Sequence, residues 1–461
     1  MNVFPHFFRL SICLCVSMFG CVATAHAADT RTSEVRIFQS TRTGVTTQQT
    51  SFLAFDEDVT SGGSIATGDV NGDGKVEIVV GAGSGEEPWV RVYSRKGRVL
   101  SEFLAYASSM TAGVNIAVGD LNRDGIEEIV TGAGQGGGPQ VRVFDMSGDS
   151  QFTNGFFAFD EGFRGGVNVA VGNIDGVKGA EIIAGAGSGG GPHVRVFRKN
   201  GAYTGVDFIP FSSSDHGGVS VAAGNVDDDP ADEIIMGMHS YGQPWVKVYN
   251  ADETIIGNFL AYSDGFYGGV TVATGDINRD GRDEVITGVH RAGGPQIRMF
   301  TAEGETFSNG FFAYETDFRG GVAVAAANID TDAKTEIIVL PRQNTLVGRA
   351  DLYQYIEVDL SQQTLYAYKN GDIDKQFLVS TGVAKYPTPT GLTAVSKKLP
   401  LHDYKWEYGT DHPDNYDLKD VPWNLRFRPN YFIHNAYWHN NFGHRMSHGC
   451  VNVNLENSKW I

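Results

Sequence analysis

One acidic loop recurs six times along the chain, and no other feature restricts the fold so strongly. It begins at Asp69, Asp120, Asn173, Asn225, Asp276 and Asn328, at intervals of 51 to 53 residues. A period of that length marks one supersecondary unit that buries its core only by stacking on its neighbours. An alternating apolar run precedes the loops, as in Val114-Asn-Ile-Ala-Val118 and Val270-Thr-Val-Ala273. Alternation at period two is a strand signal. A second strand follows the loop (Glu128-Ile-Val130, Glu181-Ile-Ile183). After a glycine-rich turn come a third (Val141-Arg-Val-Phe144, Ile297-Arg-Met-Phe300) and a fourth (Phe156-Phe-Ala-Phe159, Phe259-Leu-Ala-Tyr262). Four short antiparallel strands per unit is the pattern of a propeller blade. The sixth unit stops after its second strand, Glu336-Ile-Ile-Val-Leu340. The two missing strands stand near the start of the chain, at Val35-Arg-Ile-Phe38 and Ser51-Phe-Leu-Ala-Phe55. The expected fold is therefore mainly β, with a six-bladed β-propeller over residues 33–343 whose last blade the N-terminus completes. Closure would remove exposed strand edges. The 59 glycines are regularly spaced and mark turns of this repeat.

The loops carry chemistry as well as a period. Asp69, Asn71, Asp73 and Glu77 place side-chain oxygens at alternate positions, with Gly74 for the sharp turn. Alternate oxygens converging on one point suit a hard cation, so these residues are expected to hold a structural calcium ion. Asp120, Asn122, Asp124 and Glu128 repeat the set, as do Asp276, Asn278, Asp280 and Glu284. The fourth loop (Asn225, Asp227, Asp229, Glu233) has Pro230 in place of the glycine, and the sixth (Asn328, Asp330, Asp332, Glu336) has Ala333. The third has Val177 where a carboxylate is needed and is expected to be empty or weak. Gly185-Ala-Gly187-Ser-Gly-Gly190 leads into a strand and recurs, so it is a hairpin turn and not a dinucleotide site. Arg142, Arg195 and Arg298 recur at one place in the repeat, which favours cross-strand pairing over a basic groove. Residues 33–343 resemble the FG-GAP/VCBS propeller repeats also seen in integrin α-subunits. The resemblance implies the fold and leaves function open.

Net charge is −18, from 54 acidic and 36 basic residues. That argues against nucleic acid or an anionic membrane as the main partner. Residues 1–27 read as a secretory leader. Arg9 supplies the positive charge, an apolar run follows, and Ala25-His26-Ala27 is a small-residue cleavage site. With no second long apolar segment, the mature protein is expected to lack a transmembrane segment. Export to the periplasm, the cell wall or the outside of a bacterium is expected.

Residues 344–352 break the repeat and read as a linker, and residues 353–461 as a second domain, with Asn370-Gly371 as a hairpin turn. The other cysteines, Cys13, Cys15 and Cys21, lie in the leader, so Cys450 is the one thiol left in the mature chain. It stands in Ser447-His448-Gly449-Cys450-Val451-Asn452, with His434 sixteen positions upstream. A thiol nucleophile needs a base, and glycine beside it leaves N–H groups free to hold an oxyanion. His448 shares a strand face with Cys450, whereas His434 reaches it only if two strands pair; spacing does not choose between them.

Tyr431-Phe-Ile-His434, Trp438-His439-Asn440-Asn441-Phe442-Gly443 and Ser447-His-Gly-Cys450-Val-Asn452 resemble the signature of the L,D-transpeptidases, the YkuD-type cysteine enzymes of bacterial peptidoglycan. Ile356-Glu-Val-Asp-Leu-Ser361, Val379-Ser-Thr-Gly382 and Pro387-Thr-Pro-Thr-Gly391 extend the resemblance back to the domain's opening strands. The resemblance implies a small β-rich catalytic domain. Cys450 would be nucleophile and His434 base, oriented by the carbonyl of Asn435. His448 and Gly449 would stand beside the oxyanion hole, with Ser447 and Asn452 organising the site. Tyr437, Trp438 and His439, with Asn452, fall where substrate is gripped. No cofactor is implied for catalysis. The implied reaction joins peptidoglycan stem peptides by a 3-3 cross-link through a thioester, with the propeller binding a cell-surface glycan or protein. Transfer to water would make an L,D-carboxypeptidase. A calcium-stabilised adhesion or glycan-binding protein with an inactive C-terminal domain is the reading from another class. The chain ends at Asn457-Ser-Lys-Trp460-Ile461, inside what resembles the helix after the cysteine motif, so the domain is expected to be cut short there.

Overall fold

The computed structural model describes residues 9–13, 33–342 and 354–461, without positions 42, 43, 45, 57, 58, 60, 153, 178, 214, 241, 292, 317, 331, 333, 361, 362, 370, 371, 390–392, 408, 411, 413 and 414. The chain divides into two compact units, His26–Leu346 and Met1–Ala25 with Val347–Ile461.

In the first unit, each acidic loop joins two antiparallel strands. The leading strands are Gly63–Gly68, Val114–Gly119, Val167–Gly172, Val219–Gly224, Val270–Gly275 and Val322–Ala327. Each pairs with the strand after its loop, with Glu77, Glu128, Glu181, Glu233, Glu284 or Glu336 opposite its last residue. Those second strands are buried at every position, because apolar surface covers both of their faces. Third and fourth strands complete six four-stranded sheets. The sixth sheet runs Val322–Ala327, Glu336–Pro341, Glu34–Ser40, Thr46–Leu53, so the N-terminal strands do fill the interrupted last repeat.

The expected six-bladed propeller is corrected to a mainly-β chain of separate four-stranded antiparallel sheets. Hydrogen bonding stops at the fourth strand of each, and no sheet closes into a barrel or curls round. The physical reason lies in the third-to-fourth pairing. Bulges interrupt it in five of the sheets, and in the remaining one the fourth strand is only Phe156–Phe157. A bulge twists an edge away from further pairing.

No ladder joins one sheet to the next; single backbone bonds between successive acidic loops, such as Glu127 N to Asp69 O at 3.0 Å, and side chains do. Ser64 Oγ donates to Val114 O, Asn115 Nδ2 to Val167 O, Asn168 Nδ2 to Val219 O, Ser220 Oγ to Val270 O and Thr271 Oγ1 to Val322 O, at 2.5 to 2.8 Å. Ala323 holds the equivalent place in the sixth sheet and has no donor. The repeated arginines add a second set: Arg142 reaches Ala105 O, Arg195 Ala158 O and Arg298 Ala261 O in the preceding sheet. Arg195 also faces Asp207 across the strand pair. The cross-strand role expected for these arginines is thus joined by an inter-sheet one.

The second unit holds two sheets. One runs Asp372–Leu378, Thr364–Lys369, Gln354–Asp359, Arg9–Cys13, Thr393–Ala394. The other runs Lys397–Trp406, Tyr416–Arg428, Tyr431–Asn435, Val451–Val453, its last pair parallel. Val358, Leu365 and Val379 pack against Phe427, Ile433 and Val451 to make the core. The helix Leu455–Trp460 follows, capped by Asn454, whose side chain accepts from Asn457 N at 2.8 Å. Of the expected leader, Arg9–Cys13 alone is described, as the strand just named. The rest of it, the linker 344–352 and the Asn370-Gly371 turn lie outside the described residues. No helix among the described residues is long and apolar enough to cross a membrane.

Candidate active site and acidic loops

The Tyr431–Asn435 and Val451–Val453 strands pair side by side, with Ile433 opposite Val451 and His434 opposite Asn452. This long-range pairing brings His434 and Cys450 into one neighbourhood. Cys450 enters its strand from a tight turn. Ser447 Oγ donates to Cys450 O at 2.5 Å and accepts from Gly449 N at 3.1 Å. Gly449 has φ +108, and a Cβ there would meet Tyr431 Cε1 at 2.5 Å, so backbone freedom and lack of a side chain are both required. Bridges from Ser380 to Asn452 and from Gly382 to Ser447 hold the turn against the rest of the unit.

His434 is buried, and its ring lies 4.6 Å from that of Tyr404 and 5.7 Å from that of Trp438. Its Nδ1 lies 2.9 Å from Asn435 O. A carbonyl only accepts, so Nδ1 carries the proton and Nε2 is left as the basic nitrogen. Burial pushes the imidazole down to about 4, and the Asn435 bond opposes that shift only in part. Cys450 packs against the buried cluster of Tyr404, Val421 and Phe432. Burial pushes the thiol up to about 11, against a smaller opposing effect of the Phe432 backbone. The thiol donates to Asn430 O at 3.9 Å, and no hydrogen bond joins it to a histidine among the described residues. The resting pair is therefore neutral thiol and neutral imidazole.

The other candidate residues surround this pair unevenly. His448 lies between the rings of Tyr386 and Tyr416, at 4.6 and 5.3 Å. His439 Nδ1 accepts from Asn441 N at 3.2 Å, and Asn452 Nδ2 lies 3.0 Å from His439 Nε2. With Nε2 protonated, that contact is a hydrogen bond only when the Asn452 amide is turned to present its oxygen. Tyr437 and Trp438 are exposed and packed edge to face at 5.0 Å, with the Tyr437 hydroxyl donating to Lys419 O.

Sequence reasoning missed Tyr404, Tyr386, Tyr416 and Asn430. The residues from His402 to Asp420 fall largely in two long paired strands, and Tyr404 comes from one of them. Alternation over Lys397–Trp406 is the signal that could have found it. Arg445, also missed, donates to Gly382 O and Leu360 O and ties the cysteine turn to the opening strands.

The loops differ in their fit to a divalent cation. At Asp227, Asp229 and Glu233, and at Asp330, Asp332 and Glu336, one carboxylate oxygen from each residue lies within 4.8 Å of the others. Asp330 is already paired with Arg95 at 2.7 Å and Asp332 with Lys334 at 2.8 Å, so the Asp227 set carries the larger uncompensated charge. In the three complete loops the oxygens fold the turn itself. Asp69 accepts from the N–H groups of Gly72, Asp73 and Gly74, and Asp276 from those of Arg279, Asp280 and Gly281. Asp120 and Asp124 accept from Gly125 N and Ile126 N, and Asn122 and Asn278 donate their amides to Glu128 and Glu284. Glu77 keeps one buried oxygen without a partner among the described residues. Burial, then Asp73 and Asp69, pushes it up to about 7.

Residues 353–461 match the family model of the L,D-transpeptidase catalytic domain, YkuD. The chain carries a C-terminal YkuD-type L,D-transpeptidase domain. An FG-GAP-like repeat, matched over residues 69–131, precedes the transpeptidase domain. The L,D-transpeptidase of Enterococcus faecium is 27% identical, over 22% of this chain and 42% of that one, with a TM-score of 0.20. That of Mycobacterium smegmatis is 16% identical, over 41% of this chain and 92% of that one, with a TM-score of 0.22. Mouse integrin alpha-8 is 35% identical over 97 residues, 20% of this chain and 9% of the integrin. The chain thus spans under a tenth of the curated relative it matches.

Proposed function

We propose that the protein is an exported peptidoglycan L,D-transpeptidase that forms 3-3 cross-links with Cys450 as nucleophile. The parallel pairing of the His434 strand with the Cys450 strand, with Nδ1 of His434 committed to Asn435 O, is the observation that supports it most. In this reading the thiol leaves Asn430 O as a stem peptide enters, and His434 Nε2 takes its proton as sulfur bonds to the substrate carbonyl. The imidazolium then protonates the departing D-alanine amine, leaving a thioester on Cys450. The amine of a second stem attacks that thioester, gives its proton to His434 and restores the thiol. N–H groups of the Gly449 turn stabilise the oxyanion, and Tyr437, Trp438, His439 and Asn452 hold the stem. The acidic loops of the first unit bind calcium as a structural ion, best at Asp227, Asp229 and Glu233, and that unit holds the protein on a surface glycan or protein.

A second reading, a calcium-stabilised glycan-binding protein with a silent C-terminal domain, draws support from one observation: the thiol faces Asn430 O and is pushed up to about 11. Incubation of the full chain with a disaccharide-tetrapeptide separates the two. The mass of a cross-linked dimer supports transpeptidation, a tripeptide supports the hydrolytic variant, and unchanged substrate supports the silent domain.

A further inference from the structure

Where the leading strands of the six sheets meet there is a cavity of about 80 Å3, walled by residues from all six and by His239 and Arg342. Most polar side chains of that wall are committed. Ser64, Asn115, Asn168, Ser220 and Thr271 donate to carbonyls of neighbouring sheets. Arg342 is not. Its backbone N–H bonds to Gly321 O, but its guanidinium makes no hydrogen bond or ion pair with any described residue. His239 is 8% exposed, and its ring lies 3.9 Å from that of His290. Nδ1 of His239 is 3.3 Å from Asn168 Nδ2, so Nδ1 accepts and Nε2 carries the ring's donor proton. Nδ1 of His290 is buried with no partner among the described residues.

Among the described residues, the charged groups that act on the two rings are basic. Burial, with the charges of Arg342 and Arg291, holds the His239 ring well below its ordinary value. His290 is held down by burial, by His239 and by the same two arginines. Burial pushes Arg342 down to about 10. In a chain of net charge −18, a cavity wall with an arginine and no carboxylate among the described residues stands apart. Arg342 is half-buried there, and an anion drawn into the cavity would pair with it at little desolvation cost.

We propose that this cavity is a binding site for a small oxyanion, a carboxylate or phosphate group, gripped by the Arg342 guanidinium with His239 and Asn168 beside it. The planar fork of arginine matches two oxygens of such a group at once. The volume admits a group the size of a few waters, so the occupant is the anionic group of a ligand and not a whole saccharide ring. A metal cation does not fit, since the charges nearest the two imidazoles are positive. The clustered carboxylates of this unit lie in its acidic loops, not in this wall.

Calorimetric titration of the full chain with inorganic phosphate and, separately, with acetate, at ionic strength held constant with chloride, tests the site. We expect saturable binding of at least one anion with a Kd in the millimolar range or tighter, weakened about tenfold or more in Arg342→Gln and less in Asn168→Ala. Acetate alone would assign a planar carboxylate, and phosphate alone a tetrahedral group. Circular dichroism checks each variant. If Arg342→Gln does not fold, Arg342→Lys, which keeps the charge and loses the fork, is expected to fold and to bind more weakly. Absence of saturable heat with both anions, or an unchanged Kd in a folded Arg342 variant, overturns the proposal.

Discussion

The two units spend their polar side chains differently. In the repeated sheets, Ser64, Asn115, Asn168, Ser220 and Thr271 sit at one repeating position and donate to a neighbour's backbone. Their work is done when the sheets are packed. In the transpeptidase domain, among the described residues, His434 hydrogen-bonds through Nδ1 and leaves Nε2 basic, and the Cys450 thiol donates one long hydrogen bond, to Asn430 O. Buried polar groups are normally satisfied, so a spare valence near a thiol is the place to test for chemistry, while a repeated satisfied one belongs to the packing. Regularity argues for structure, and its local breach for function.

The largest test of the contrast is loss of the thiol. Cys450→Ala should abolish covalent uptake of a carbapenem-type β-lactam, read as one added mass in the intact wild-type chain and none in the variant. His434→Ala should slow the same addition by about 10²–10⁴-fold with the fold retained. Wild-type rates in His434→Ala alongside a dead His448→Ala would reverse the two histidine roles.

Removing residues 28–57 should be nearly as severe for the other unit. Glu336–Pro341 would lose the partner strand Glu34–Ser40, exposing an apolar edge. Aggregation or unfolding is expected in size-exclusion chromatography, and a monomer of unchanged stability would show that the N-terminal strands are dispensable.

Calcium should come next in size. At about a hundred times its Kd an ion that binds only the folded chain adds about 2.7 kcal/mol. Chelator should therefore lower the unfolding temperature of the first unit and calcium restore it, with Asp227→Asn blunting the response more than Asp73→Asn. Identical melts with and without chelator would remove the ion from the account.

Among the inter-sheet bonds, Thr271→Val keeps the shape and leaves Val322 O without its donor, so a loss of about 0.5–1.5 kcal/mol is expected by denaturant titration. The substitution Ala323→Val, at the position that never had the bond, should show no such hydrogen-bond loss.

The smallest expected effect is none at all. His434 is neutral above about 4, and Cys450 stays a thiol until about 11. Lowering the imidazole means that the base is lost only as pH falls through about 4, not through the ordinary histidine range. Acylation should hence be flat between about pH 5.5 and 8, because the proton moves from thiol to His434 during attack. A rate climbing about tenfold per pH unit would mean that a preformed thiolate is the nucleophile.

Much of this was legible along the chain. The six loops, the strand after each of them and the return of Val35 and Ser51 to the last repeat all follow from a period of 51 to 53 residues. So do the four strands of each sheet; the bulges between third and fourth strands do not, because they depend on how side chains settle on the neighbouring sheet. Likewise Asp227, Asp229 and Glu233 converge although Pro230 replaces the turn glycine, while the complete loops use their oxygens on their own backbone.

By itself the sequence determined that Cys450 has a glycine and a histidine beside it and that His434 precedes it on an apolar strand. Those are local facts, set by neighbours a few residues apart. Tertiary structure alone decided that the two strands run parallel in contact, that Tyr404 covers His434, and that Arg342 meets His239 and His290 across about 50 to 100 residues of chain. Backbone preferences act over one turn or strand, whereas burial of apolar surface selects which distant strands meet. The chemistry of a site arises where they do.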